Sequence, residues 1–321
     1  MIPALASVAV LGVAVPHWVR LDRVRPTTAA LLWTTALTLR ALIVISLALY
    51  IAVIAPGTGV FKTLTHWCQH TVPPVVPVHV DLHGHVIGGI AAVTPVILAG
   101  LCLLAGMLGA ARATKAVRRA LASESLGVGP QDSVIVGGPE VVMAAAGLVH
   151  PTILVSAGAL AVLDDEELAA GLAHEEGHIA HKHHLLLAYA DCCRALARAV
   201  PGTRRAVSET RFHLERDADE WALRRDHDPV ALASAICKAG TGAPDTGPAV
   251  ITLGAAGIER RLDGLLDVQP TSSGSPRRRI IDYAATIMVC VTLASMIALP
   301  ATTFAEGRHP VAEHPEHHCQ P

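Results

Sequence analysis

Aromatic residues make up only 3% of this 321-residue chain, and charged residues only 16%. Soluble domains usually carry about 25% charged residues, so the shortfall excludes an ordinary solvated surface along the whole chain. The net charge is −2 and no long basic stripe occurs, which removes the electrostatic footprint of a nucleic-acid-binding protein. The seven cysteines contain no C-x-x-C, so neither a zinc ribbon nor a disulfide framework is signalled. No internal repeat is found. What is abundant is aliphatic: 52% of residues are hydrophobic and the mean hydropathy is +0.46. Such a composition points to helices in lipid.

Four apolar runs are long enough to test as spans, at about 2–19, 29–55, 86–110 and 280–305. The first lacks positive charge before it and is followed by Arg20, Arg23 and Arg25, the reverse of a signal peptide. Arg40 in the second run is costly at a helix centre, and it is expected to snorkel or to face other helices. The third run is dotted with Gly88, Gly89, Gly100, Gly106 and Gly109, small residues that let helices approach closely. Basic clusters follow the first run, follow the third (Arg112, Lys115, Arg118, Arg119) and precede the fourth (Arg277, Arg278, Arg279). By the positive-inside rule, residues 111–279 are then cytoplasmic. Both termini, the loop 56–85 and the tail 306–321 lie outside.

Within 111–279 the sequence His174-Glu175-Glu176-Gly177-His178 reads H-E-x-x-H. On a helix the two histidines share one face, where they can hold one zinc ion while Glu175 takes a proton from water. Asp164 as N-cap with Glu167 as capping-box partner opens that helix, and Pro201-Gly202 is the expected stop. His181, His183 and His184 follow, so a solvated His-rich face is the competing reading. A catalytic zinc needs a third protein ligand and an open position. Glu215 and Asp219, four apart on a second helical stretch, allow one carboxylate to ligate and the other to reach a ligand's outer nitrogen. Asp217 and Glu220 are expected on that helix's exposed face. His184 is a rival third ligand, in the arrangement where the chain turns after the second histidine. Strands are expected at Asp132–Gly137, Val141–Ala145 and Pro151–Ala157, the last as an edge able to pair with an extended substrate. Thr203–Ser208 reads as a polar connection, and Ala243–Gly247 and Gln269–Pro276 as loops.

H-E-x-x-H followed by Glu215-Arg216-Asp217-Ala218-Asp219 (E-x-x-A-D) resembles the membrane zinc metallopeptidases of the BlaR/MecR type, gluzincin-like relatives of the HtpX type. Ala146-Gly147-Leu148, Pro151 to Ser156, Leu163 to Leu168 and Arg260-Arg261-Leu262 extend the likeness over about Ser133 to Leu266. The resemblance implies a mainly α multi-pass membrane protein with four transmembrane helices and a cytoplasmic α+β zinc metallopeptidase domain. His174, His178 and Glu215 would hold one catalytic Zn2+, Glu175 would be the base, and Asp219 would orient His174. Three spans, a cytosolic peptidase, a fourth span and an outside segment match the BlaR/MecR order; HtpX-type enzymes place the peptidase after two spans. Two departures stand out. His183 occupies a position where such proteins often carry Asp, and no penicillin-binding sensor domain follows the fourth span.

The function expected is therefore hydrolysis of a cytosolic protein, plausibly a transcriptional repressor, by a signal-transducing membrane protease. The alternatives are an HtpX-like quality-control protease and a non-catalytic metal sensor. Tyr189 and His213 are candidate oxyanion stabilisers, against the plainer readings of a buried Tyr and a surface His. Cys102 and Cys290 lie in spans, and Cys192, Cys193 and Cys237 are expected to be reduced. Outside, His66, Cys68, His70, His314, His317, His318 and Cys319 form a metal site, a disulfide between Cys68 and Cys319, or a plain polar loop and tail.

Overall fold

The computed structural model describes residues 13–14, 16–18, 21–53, 59, 63, 83–148, 150–240, 250–252 and 257–266. Most of the first apolar run, the whole fourth run, both expected loops and the outside His/Cys residues lie outside this set. Helix α1, Pro26–Val53, opens on a proline, whose missing N–H costs nothing at a helix start. Its hydroxyls are satisfied internally: Thr34 donates to the Ala30 carbonyl (2.8 Å), Thr35 to Leu31 (2.8 Å) and Thr38 to Thr34 (2.9 Å). Helix α2, His83–Glu124, continues 14 residues beyond Ala110, where the third span was expected to end. These two helices are long and apolar enough to cross a membrane, over Pro26–Ala52 and Val93–Ala116.

The two helices differ in surroundings. In α2 the side chains of Val93, Ile97, Leu101, Leu104 and Met107 are exposed, an apolar surface suited to lipid. In α1 one side of the first half is buried against the rest of the protein through Ala29, Leu32, Trp33, Ala36 and Leu37, with Leu31 exposed, and Leu42 and Ile43 are exposed beyond it. Arg40 does not snorkel. It is 1% exposed and donates to the carbonyls of Ala36 (3.0 Å) and Pro201 (3.3 Å), with His17 Nε2 at 2.7 Å. A buried guanidinium is tolerable only with such partners.

The rest of the fold follows as β1 Ser125–Val128, β2 Val134–Val136, β3 Met143–Ala146, β4 Thr152–Ser156, α3 Ala157–Val162, α4 Asp165–Ala180, α5 His183–Leu196, α6 Thr203–Leu223, α7 Pro229–Gly240, β5 Val250–Thr252 and α8 Ile258–Leu266. The sheet order is β1-β2-β4-β3-β5. The pair β2–β4 is parallel, whereas β1–β2, β3–β4 and β3–β5 are antiparallel. The strand expected over Pro151–Ala157 is therefore central, not an edge, and the edges are β1 and β5, neither of which the sequence pattern signalled. Both are short; β1 pairs with the next strand, β2, whereas β5 pairs with the distant β3. Strand β3 reads Met-Ala-Ala-Ala and is wholly buried, and its small side chains let α4 pack close on the sheet.

Helix α4 opens as the sequence requires: Asp164 Oδ1 accepts from the Glu167 N–H (2.8 Å) and Glu167 Oε2 from the Asp164 N–H (2.9 Å). Its apolar side joins a core with Met143, Val155, Leu172, Leu232, Ile236 and Leu265. It does not run to Pro201. The chain turns at His181 and Lys182, the latter left-handed at φ 55°, and restarts as α5. Tertiary bonds hold this glycine-free turn, since His181 and His183 on its two sides both reach Asp217 of α6. Thr203–Ser208, expected as a connection, is the first turn of α6, secured by Thr203 Oγ1 on the Ala197 (2.9 Å) and Val200 (2.8 Å) carbonyls.

Candidate active site

Helices α4 and α6 bring the ligand candidates together because Gly177 leaves room for Trp221. A Cβ on Gly177 would stand 3.0 Å from the Trp221 Cβ and Cγ. One residue on, His178 Nε2 lies 3.1 Å from His174 Nε2. Glu215 spans the pair, its Oε2 3.5 Å from His174 Nε2 and its Oε1 3.5 Å from His178 Nε2. His174, Glu175 and His178 are fully buried, and Glu215 is nearly so. Two imidazole nitrogens and a carboxylate converging at these distances, away from solvent, are the donor set of a zinc site with three protein ligands, and they are grouped closely enough to hold one ion.

Around this cluster stands a shell of charge. Asp219 Oδ1 is 2.9 Å from His174 Nδ1. Arg261 of α8 donates from Nε (2.9 Å) and Nη2 (2.6 Å) to Asp219 and from Nη1 (2.8 Å) to Glu215 Oε2. Burial alone would raise the Asp219 carboxyl, but Arg261 and His174 hold it down at about 2. Burial pulls His174 down, yet the bonds to Asp219 and Glu215 outweigh it and lift it to about 9. His178, equally buried with His174 beside it, is held well below its ordinary value. Desolvation pushes Glu175 up to about 8. Its Oε2 accepts from the Ala145 N–H of β3 at 2.7 Å, while its Oε1 is buried without a partner.

Other candidates are placed elsewhere. His184 is buried but stands outside the ligand group, its Nδ1 without a partner. Tyr189 is not buried; its hydroxyl meets Thr38 of α1 at 2.8 Å. His213 is not on the surface; burial and then Arg216 lower it to about 3, and its neighbours are Glu209 and Arg216. Among the described residues, neither forms a hydrogen bond or ion pair with the ligand cluster. Asp217 is 2% exposed rather than on a solvated face. Cys102, Cys192, Cys193 and Cys237 are free thiols. Sequence reasoning missed the role of Arg261, noted only as part of a basic segment, and those of His183 and Asp217. Arg261 lies 42 and 46 residues from its partners, so no local spacing announces it. Its one signal was the basic Arg260-Arg261 segment downstream of the E-x-x-A-D helix.

Residues 110–213 match the family model of Peptidase family M48. The matched segment contains His174, Glu175 and His178 and stops two residues short of Glu215. No curated protein matches the chain. The buried His/His/Glu cluster and the match over residues 110–213 agree on one chemistry, that of a zinc metallopeptidase, a peptide hydrolase.

Proposed function

We propose that the protein is a membrane-embedded metalloendopeptidase holding one zinc ion on His174, His178 and Glu215 and cutting a cytosolic protein. The observation that carries this reading is the unpartnered Glu175 Oε1, buried beside the three convergent donor atoms. Zinc, when bound, supplies a Lewis acid that polarises the scissile carbonyl and acidifies water. Glu175 is anchored at Oε2 by β3, which leaves Oε1 to take the proton of the attacking water and return it to the leaving amine. Asp219 keeps the His174 proton on Nδ1 and so frees Nε2 for the ion. Arg261 neutralises the acidic pair from behind.

The basic ends of α1 and α2 are the ends adjoining the peptidase fold, which supports a cytosolic site under the positive-inside rule. The order of apolar runs, three before the domain and one after, supports a signal-transducing protease of the BlaR/MecR type acting on a transcriptional repressor. The M48 match favours a second reading, an HtpX-like protease acting on membrane proteins. The test compares the zinc-loaded chain with Glu175→Ala on casein, on a neighbouring repressor and on misfolded membrane proteins. Cleavage by wild type alone, with zinc in both, supports the peptidase; the substrate cut separates the two readings. Equal cleavage by the variant would remove Glu175 as base. An inactive wild type that is folded and zinc-bound would favour a non-catalytic metal sensor.

A further inference from the structure

A second chain of polar contacts, buried as far as Asp217 and ending on the exposed Thr27, starts on the far side of His178. Its Nδ1 is 2.8 Å from His183 Nδ1. His183 Nε2 is 3.1 Å from Asp217 Oδ2, and Asp217 Oδ1 accepts from Thr27 Oγ1 at 2.7 Å. His183 and Asp217 are each 2% exposed. Thr27 is the second residue of α1, 190 positions from Asp217, so the chain of contacts joins the apolar helix to a ligand candidate.

Tautomer arithmetic gives these contacts a direction. An imidazole that offers Nε2 to a metal carries its proton on Nδ1. His178 then donates from Nδ1, and His183 must accept at Nδ1. His183 therefore carries its own proton on Nε2, which faces the Asp217 carboxylate. Reversing the first bond would leave His178 without a proton on either nitrogen, an imidazolate. The same arithmetic bears on His181, His183 and Asp217, which are close enough to hold a cation of their own. A cation on His183 Nε2 together with one on His178 Nε2 would also force an imidazolate. Hydrogen bonds to Asp217 explain that group with neutral rings.

We propose that His183 and Asp217, steadied by Thr27, are positioning residues that fix the tautomer and ring plane of His178, so that metal affinity depends on how α1 is seated against α6. The proposal rests on His174, His178 and Glu215 being the ligands. It gives the membrane helix a direct handle on the site: displacing α1 removes the Thr27 hydroxyl, loosens Asp217 and frees the His178 ring.

The experiment uses the full chain in detergent micelles, with zinc affinity measured by chelator competition and the ligand field by the visible spectrum of the cobalt-substituted protein. His183→Ala should weaken zinc about 10–100-fold and alter the cobalt bands. His183→Asp should restore both, because a carboxylate accepts the same His178 proton. Thr27→Val should weaken zinc about fivefold, the worth of one hydrogen bond. Wild-type affinity in His183→Ala would overturn the relay. If that variant does not fold, a His183→Asp variant without tight zinc would do so, and an unchanged Thr27→Val would remove the link to α1. Two zinc ions per chain, with one lost in His181→Ala, would overturn the relay in favour of a second cation site. A His174→Ala control that still binds zinc tightly would instead refute the ligand assignment.

Discussion

Replacing Arg261 by alanine should damage the metal-free protein far more than the zinc-loaded one. The guanidinium is fully buried and makes three charge-assisted hydrogen bonds, two to Asp219 and one to Glu215. Its removal leaves two buried carboxylates facing a single cationic partner, His174. Breaking a buried pair by deleting one member costs about 3–5 kcal/mol. For a domain of this size each kcal/mol moves the melting midpoint about 2–4 °C, so the metal-free midpoint should fall by roughly 6–20 °C. In the zinc-loaded protein a dication compensates Glu215, only Asp219 loses its guanidinium while keeping His174 Nδ1 at 2.9 Å, and the fall should be about half as large. Arg261→Lys keeps the charge but cannot fork across both carboxylates, so it should lie between. Thermal melting of the purified chain in detergent, with and without zinc, reads all of these. A metal-free drop under about 2 °C, or equal drops in both states, would refute the reasoning.

Gly177→Ala should weaken zinc binding, because the new methyl stands 3.0 Å from Trp221 and must push apart the helices that carry His178 and Glu215. The overpacking costs about 1–3 kcal/mol, while alanine regains about 1 kcal/mol of helix propensity; chelator competition is therefore the sharper readout, and unchanged affinity would contradict the close-approach account. Glu167→Gln keeps the capping box but loses the ion pair with Lys238. Burial would raise the Glu167 carboxyl, and Lys238, Ser234 and the Asp164 N–H hold it below its ordinary 4.5. A lowered folded value means stability that is present above pH 4.5 and lost as pH falls through the folded value. Wild type should thus exceed the variant by roughly 1 kcal/mol at pH 7, and melting curves should converge on acidification; a constant gap down to pH 3 would contradict this.

Local patterns were legible because their physics is local. Asp164 and Glu167 cap α4 three residues apart, and His174 and His178 face the same way because a helix repeats every 3.6 residues. Three strands were readable within a few residues, since each is a short aliphatic run bounded by turn residues. Strands β1 and β5 were not, because a short strand is stabilised by its partner rather than by its own residues. The break at Lys182 was hidden for a similar reason: the run Ile179 to Leu187 has no glycine, and Asp217 of another helix holds the turn.

What the sequence by itself determined is the chemistry available: two histidines and a glutamate on one helix face, two carboxylates four apart on another, and apolar runs that only lipid or a large core accepts. The tertiary structure alone decided which of the surplus groups meet. Arg261 arrives from 42 residues away to neutralise Asp219. Asp217 leaves the surface to bind His183, and Arg40 is buried under Pro201 instead of reaching for water. Burying an ion is costly unless its partner is within hydrogen-bond reach, and that distance is set by how helices pack, which no spacing along the chain encodes.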